Sequence, residues 1–170
     1  ALESATVNLS AMTTKALPAS LFEGCTALGT NSGTVTLTDV TSIGNAAFKG
    51  CTNLATIGLG TATAIGDNAF EGCTKLETVT QSGILSIGEE AFKGCEALKQ
   101  FGATANTIDR ANVTTLSQGA FDGCKAITGT ITLNVAVTAI GGSTFKECIG
   151  LQGVTVNAAT VDVGADAFYG

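Results

Sequence analysis

Residues 51–73 read CTNLATIGLGTATAIGDNAFEGC. Cys51 and Leu54 lead into Ala55-Thr56-Ile57-Gly58-Leu59, where Ile57 and Leu59 alternate with Thr56 and Gly58. Such alternation predicts a short strand with one face buried. Gly60 to Ala64 reads as a turn or loop, and Ile65-Gly66 marks a second inward anchor. Asp67-Asn68-Ala69-Phe70-Glu71 predicts a single helical or 3₁₀ turn, with Asp67 placed to cap its free N–H groups. Gly72 suits the left-handed residue that ends such a turn, and Cys73 opens the next unit.

The same unit recurs along the chain. Phe22-Glu23-Gly24-Cys25 is followed by Phe48-Lys49-Gly50-Cys51, Phe70-Glu71-Gly72-Cys73, Phe92-Lys93-Gly94-Cys95 and Phe121-Asp122-Gly123-Cys124. Phe145-Lys146-Glu147-Cys148 lacks the glycine, and Phe168-Tyr169-Gly170 stops short of a cysteine. These phenylalanines lie 26, 22, 22, 29, 24 and 23 residues apart. A period of that size implies stacked turns of a solenoid, in which length counts repeats rather than domains. The post-cysteine apolar position holds Leu28, Leu54, Leu76, Leu98, Ile127 and Leu151. The strand pair is Val35/Leu37, Ile57/Leu59, Val79/Gln81, Phe101/Ala103, Ile131/Leu133 and Val154/Val156, with Val7/Leu9 as the first copy. The second anchor is Leu17, Ile43, Ile65, Ile87, Leu116, Ile140 and Val163. The largest insertion, around Thr104 to Val113, falls after a strand, where a loop can bulge without breaking the stack. No linker interrupts the pattern, so residues 1–170 are expected to form one repeat domain of about six to seven units.

Composition narrows the function. A net charge of −6, from 14 acidic and 8 basic residues, argues against nucleic acid and anionic membrane surfaces as partners. No apolar run approaches the roughly 20 residues of a membrane span. Histidine is absent, which removes the usual general base and the commonest zinc ligand. The chain opens on Ala1-Leu2-Glu3 and ends at Gly170 inside a repeat unit, as expected of a piece of a longer protein.

Cys-x-x-Leu-x-x-Ile-x-Leu followed by Ile-Gly-x-x-Ala-Phe-x-Gly-Cys closely resembles the BspA-like (Treponema pallidum-type) leucine-rich repeats. The resemblance covers nearly the whole chain and weakens at residues 1–20 and 104–115. It implies an α/β repeat solenoid: a right-handed coil with a parallel β-sheet on its concave face and short helical or 3₁₀ turns opposite. It also implies an extracellular or cell-surface protein, bacterial or protozoan, linked to adhesion and host contact. Glu147 in place of glycine, and Gln81 and Ala103 in place of strand apolars, depart from the pattern.

Six cysteines in an extracellular chain suggest three disulfides. All six share one register, however, so their Cβ vectors would run parallel up the stack rather than toward each other. Buried free thiols filling one slot per turn are the simpler expectation, and the cysteines show no metal-ligand spacing. The residue after each phenylalanine reads Glu23, Lys49, Glu71, Lys93, Asp122, Lys146, then Tyr169. The alternating sign predicts a charge ladder that holds the turns in register.

The strand residues facing away from the core form the candidate binding face: Thr34, Thr36, Thr56, Thr78, Thr80, Gln100, Thr130, Thr132, Thr155 and Asn157. Thr6, Asn8, Gly58, Gly102 and Gly153 share that face. It is small, hydroxyl-rich and almost uncharged. A solvated threonine ladder is the structural reading. The functional reading is a surface for an extended protein or polysaccharide. Few aromatics argue against sugar-stacking platforms and anchor-type hot spots. An ice-binding face is disfavoured because glycine and glutamine interrupt the threonine columns. Glu89-Glu90 could serve acid–base chemistry, but its place at the start of a turn favours capping. The expectation is a non-catalytic adhesion-type module without cofactor or metal. Its partners would be a protein, extracellular matrix or host surface, or a polysaccharide, with the long loop near Arg110 as a second candidate. A structural spacer without its own ligand is the alternative, and the chain is expected as a monomer or in weak end-to-end association.

Overall fold

A computed structural model describes residues 5–8 (backbone only), 15–30, 34–81, 83–102, 113–133 and 137–170. The described strands are β1 (Ala5–Asn8), β2 (Ala16–Leu17), β3 (Thr34–Thr38), β4 (Ser42–Ile43), β5 (Thr56–Gly58), β6 (Ala64–Ile65) and β7 (Thr78–Thr80). They continue as β8 (Ser86–Ile87), β9 (Gln100–Phe101), β10 (Thr115–Leu116), β11 (Gly129–Leu133), β12 (Ala139–Ile140), β13 (Leu151–Val156) and β14 (Asp162–Val163). Each strand pairs in parallel with its counterpart one turn away, which makes the chain a parallel-strand solenoid. A front sheet runs β1-β3-β5-β7-β9, and β11-β13 form a separate two-stranded piece. A back ladder of two-residue strands runs unbroken from β2 to β14 through β4, β6, β8, β10 and β12. The second-anchor residues therefore build a sheet of their own.

The front register follows the repeat. Val35, Ile57, Val79 and Phe101 align inward, while Thr34, Thr56, Thr78 and Gln100 align beside them on the other face. The first copy differs from expectation: Val7 pairs with Leu37 and Ala5 with Val35, two residues from the expected register. A shift of two conserves which face a residue occupies. Leu9 and Ala103 lie outside the described residues.

No helix is found among the described residues, so the expected helical or 3₁₀ turns are replaced by tight turns. The reason lies two residues before each phenylalanine. Ser20, Ala46, Asn68, Glu90, Gly119, Ser143 and Asp166 all have φ between 51° and 61°. A left-handed residue there stops right-handed helix propagation. Short i→i+3 bonds close the turns instead, as in Lys49 N–H to the Ala46 carbonyl and Cys51 N–H to the Phe48 carbonyl. The intervening N–H groups point along the axis: those of Ala46, Phe48 and Gly50 donate to the carbonyls of Asp67, Ala69 and Glu71 in the following turn. Asp67 caps across turns as well, its carboxylate accepting from Glu89 N–H at 2.8 Å rather than from its own turn.

One continuous core fills the coil. Its spine is a column of stacked rings, Phe22-Phe48-Phe70-Phe92-Phe121-Phe145-Phe168, with centroids 5.1 to 5.6 Å apart. The cysteines beside them are free. Each thiol from Cys51 onward donates to the phenylalanine carbonyl one turn back: Cys51 to Phe22, Cys73 to Phe48, Cys95 to Phe70, Cys124 to Phe92 and Cys148 to Phe121, at 3.0 to 3.2 Å. A further buried column, Val40, Ala62, Ile84, Val113 and Val137, lies in segments expected to be loops. Each sits three residues before a second anchor, a spacing that was present in the sequence.

Candidate functional site

The strands bring six of the candidate residues into one surface. Thr34, Thr56, Thr78 and Gln100 form one column, and Thr36, Gly58 and Thr80 form the next. Thr34, Thr36 and Thr80 are exposed, while Thr56, Thr78 and Gln100 are half-buried by their neighbours. Gly58 leaves a notch in the second column. A Cβ there would lie 3.3 Å from Thr80 Oγ1 and 3.9 Å from Thr36 Cγ2. The other four candidates occupy the separate sheet piece: Thr130 faces Gly153 and Thr132 faces Thr155, with Asn157 just past β13. All four are exposed, and Asn157 N–H continues the ladder to the Leu133 carbonyl. Among the described residues β9 and β11 do not pair, so the front surface consists of two patches. The expected loop near Arg110 lies outside the described residues.

Charge is placed along the border of this surface. Glu77 and Lys99, which immediately precede Thr78 and Gln100, form an ion pair at 2.5 Å. Lys125 and Glu96 pair at 2.8 Å, and Lys75 Nζ donates to Asn53 Oδ1 at 2.7 Å. The carboxylate partner raises the Lys125 ammonium above its ordinary pKa through the hydrogen bond and its charge. Among the described residues the face itself offers hydroxyls, one amide side chain and glycine, groups suited to hydrogen bonding and close contact. Gln81, expected as a weak strand position, turns its side chain back to accept from Ile84 N–H at 3.1 Å.

The rim ladder forms in part. Lys49 bonds Glu71 at 2.8 Å, and that bond raises the lysine pKa. Lys93 instead bonds Glu90 within its own turn at 2.7 Å. Asn68 links the two carboxylates, donating to Glu71 at 3.0 Å and to Glu90 at 3.3 Å. Glu90 is thus a partner in a side-chain network rather than a helix cap. Partial burial raises the Asp122 carboxyl above its usual range, and the positive charges of Lys93 and Lys146 oppose that shift. Among the described residues no cluster of histidine, cysteine or carboxylate side chains could hold a metal ion. No described helix is long and apolar enough to cross a membrane.

A cavity of about 380 Å³ opens at the last turn, lined by Phe145, Cys148, Leu151, Val154 and Phe168 among others.

Parallel turns and a ring spine define a parallel-strand repeat solenoid. The chain matches the BspA type leucine rich repeat region, in six copies over residues 15–125 and 102–170, and it belongs to that family. Leucine-rich repeat chains of this kind are generally non-catalytic binding modules. Its fold is similar to the crystal structure of the T. pallidum leucine rich repeat protein, with a TM-score of 0.70 and 23% identity over 96% of this chain and 73% of that one. A leucine rich cell surface protein from Faecalibacterium prausnitzii is similar at a TM-score of 0.59 and 23% identity, over 91% of this chain and 48% of that one. A leucine-rich repeat protein from Bacteroides ovatus is similar at a TM-score of 0.56 and 23% identity, over 94% of this chain and 47% of that one. No curated protein matches the chain in sequence.

Proposed function

We propose that the chain is a contact module of a cell-surface or secreted protein, binding an extended protein partner through the front face of β3, β5, β7 and β9. The observation that supports this most directly is the face itself. Its hydroxyl columns are held in backbone register, free of charge, and bordered by ion pairs at the strand entries. Hydroxyls spaced at the strand repeat of about 4.8 Å suit a partner that offers evenly spaced polar groups. The surface placement draws on the family and on the Faecalibacterium relative, which is described as a cell surface protein. The exposed aromatic rings Phe168 and Tyr169 lie at the last turn rather than on this face, so each contact is weak and affinity depends on many contacts together.

A host-matrix protein and glycan array tests the reading. The wild-type chain is expected to retain a protein ligand that the Thr56→Arg and Thr78→Arg variants lose. Ser86→Arg, on the back ladder, is expected to keep it. A ligand that survives both front substitutions refutes the site. Absence of any ligand for any face favours a spacer role.

A further inference from the structure

The second hydroxyl column of the front face is interrupted by glycine at alternate turns. It reads Thr36, Gly58 and Thr80 in backbone register, and Gly102 follows, its N–H donating to the Val79 carbonyl at 2.9 Å. At Gly102 the space is taken: the Gln100 side-chain amide folds back and donates to the Gly102 carbonyl at 3.1 Å. At Gly58 it is open. A Cβ built there meets Thr80 Oγ1 at 3.3 Å and Thr36 Cγ2 at 3.9 Å and no other atom within 4 Å, so the notch has a hydroxyl for one wall and a methyl for the other. We propose that this notch seats a proline ring of an uncharged polyproline II segment lying along the coil axis, which rests on the front face being the contact surface.

Spacing selects that conformation. Thr36 and Thr80 stand two strands apart, which is about 9.6 Å at the ordinary spacing of a sheet. A polyproline II helix advances about 9.3 Å in its three-residue turn, so successive turns meet Thr36 and Thr80 with an intervening ring over Gly58. An extended strand repeats its side chains every ~6.7 Å and an α-helix climbs about 5.4 Å per turn, so neither stays in step with the coil. The chemistry points the same way. Polyproline II makes no internal hydrogen bonds, which leaves its carbonyls free to accept from threonine hydroxyls. The Thr80 hydroxyl makes only a long bond to the Ile57 carbonyl, at 3.5 Å, so a nearer acceptor in the notch takes it over. The Thr36 methyl gives the ring an apolar contact. Charge is complementary too: the face is neutral and its bordering Glu77 and Lys99 are paired, so an uncharged segment brings no ion to desolvate. Among the described residues no aromatic anchor lies on the face, and affinity therefore depends on a low ordering cost. A preformed polyproline II helix enters with its backbone already restricted.

NMR titration of the isotope-labelled chain with a polyproline decamer tests this. The amide signals of Gly58 and Thr80 are expected to shift as peptide is added, and those of Ser86 and Thr115 on the back ladder to stay. Gly58→Thr fills the notch with the side chain that stands on both sides of it. It is expected to keep or raise the melting temperature while lowering affinity for the decamer about tenfold. Gly58→Ala, which places only a Cβ in the notch, serves if the threonine disturbs β5. A purely structural glycine would give the higher melting temperature with affinity unchanged, and that result overturns the proposal. So does a wild-type chain whose front-face signals do not move. Tighter binding of an alternating threonine–valine decamer, a glycine–serine decamer or cellohexaose than of polyproline also overturns it. A protein ligand from the array that is lost in Thr56→Arg but kept in Gly58→Thr removes the notch and leaves the front-face reading standing, whereas peptide shifts confined to the back ladder remove both.

Discussion

Phe70→Ala removes one ring from the middle of the spine. Phe70 is fully buried and stacks on Phe48 at 5.2 Å and Phe92 at 5.1 Å. Turns packed on both sides cannot collapse into the space, so the loss is expected at about 3–5 kcal/mol. Phe168→Ala provides the internal comparison. That ring is 42% exposed and has one stacking neighbour. Full burial of phenylalanine is worth roughly 1.5–3 kcal/mol, so its partial burial leaves about 1–2 kcal/mol to lose. A domain total of about 5–15 kcal/mol means the interior change removes a large share of stability. Urea unfolding followed by circular dichroism measures both. Since each turn contacts only its neighbours, Phe70→Ala should also uncouple the flanking turns and lower the slope of the transition. Equal losses for the two variants would refute the claim that the ring column carries the stack.

Three further outcomes are expected. Glu147 adopts φ 56° where five other corners have glycine at 69° to 74°, so Glu147→Gly relieves left-handed strain of roughly 1–2 kcal/mol, of which glycine's larger unfolded-state entropy offsets a part, and the urea midpoint rises. Burial pushes the Cys51 and Cys148 thiols up to about 12 from an ordinary 9.0, and those of Cys73, Cys95 and Cys124 well above 9.0. Above pH 9 the unfolded chain releases thiol protons that the folded chain keeps, so stability present below that pH is lost as pH rises toward 12; a melting temperature that holds steady across that interval contradicts the buried thiol column. Lys49→Glu removes the bond to Glu71 and places three carboxylates in successive turns with Glu23, so Tm should fall, and fall further at low ionic strength.

The anchors were readable because each turn repeats the same physical demand. Phe, Cys and the apolar strand positions recur at fixed offsets, and among the described residues all but those of the end turns and three late positions (Leu151, Val154 and Val156) lie deep in the core. The corner was misread because Asp67-Asn68-Ala69-Phe70 has a helix-start composition, while its conformation is set by a left-handed residue that alanine, serine, asparagine and glutamate fill in different turns. Neighbouring turns hold that conformation through axial backbone bonds, which leave no mark on residue type. The Val40-type column was obscured because it shares its segment with threonine and glycine. The candidate face was legible as alternation, and its first six members do lie together. Its division into two patches was not legible, because a length insertion does not reveal which of two sheets it interrupts.

The charge ladder gives this coil two different periods. Measured by backbone, the repeating unit is one turn. Measured by the residue after each phenylalanine, it is two, since Glu23, Lys49, Glu71, Lys93, Asp122 and Lys146 alternate. Loss of the single turn that carries Lys93 would bring Glu71 against Asp122, whereas loss of the two turns carrying Glu71 and Lys93 would bring Lys49 against Asp122. Gene duplication or recombination within such a chain is therefore expected to survive selection in pairs of turns, with the odd-numbered events removed by repulsion at the seam.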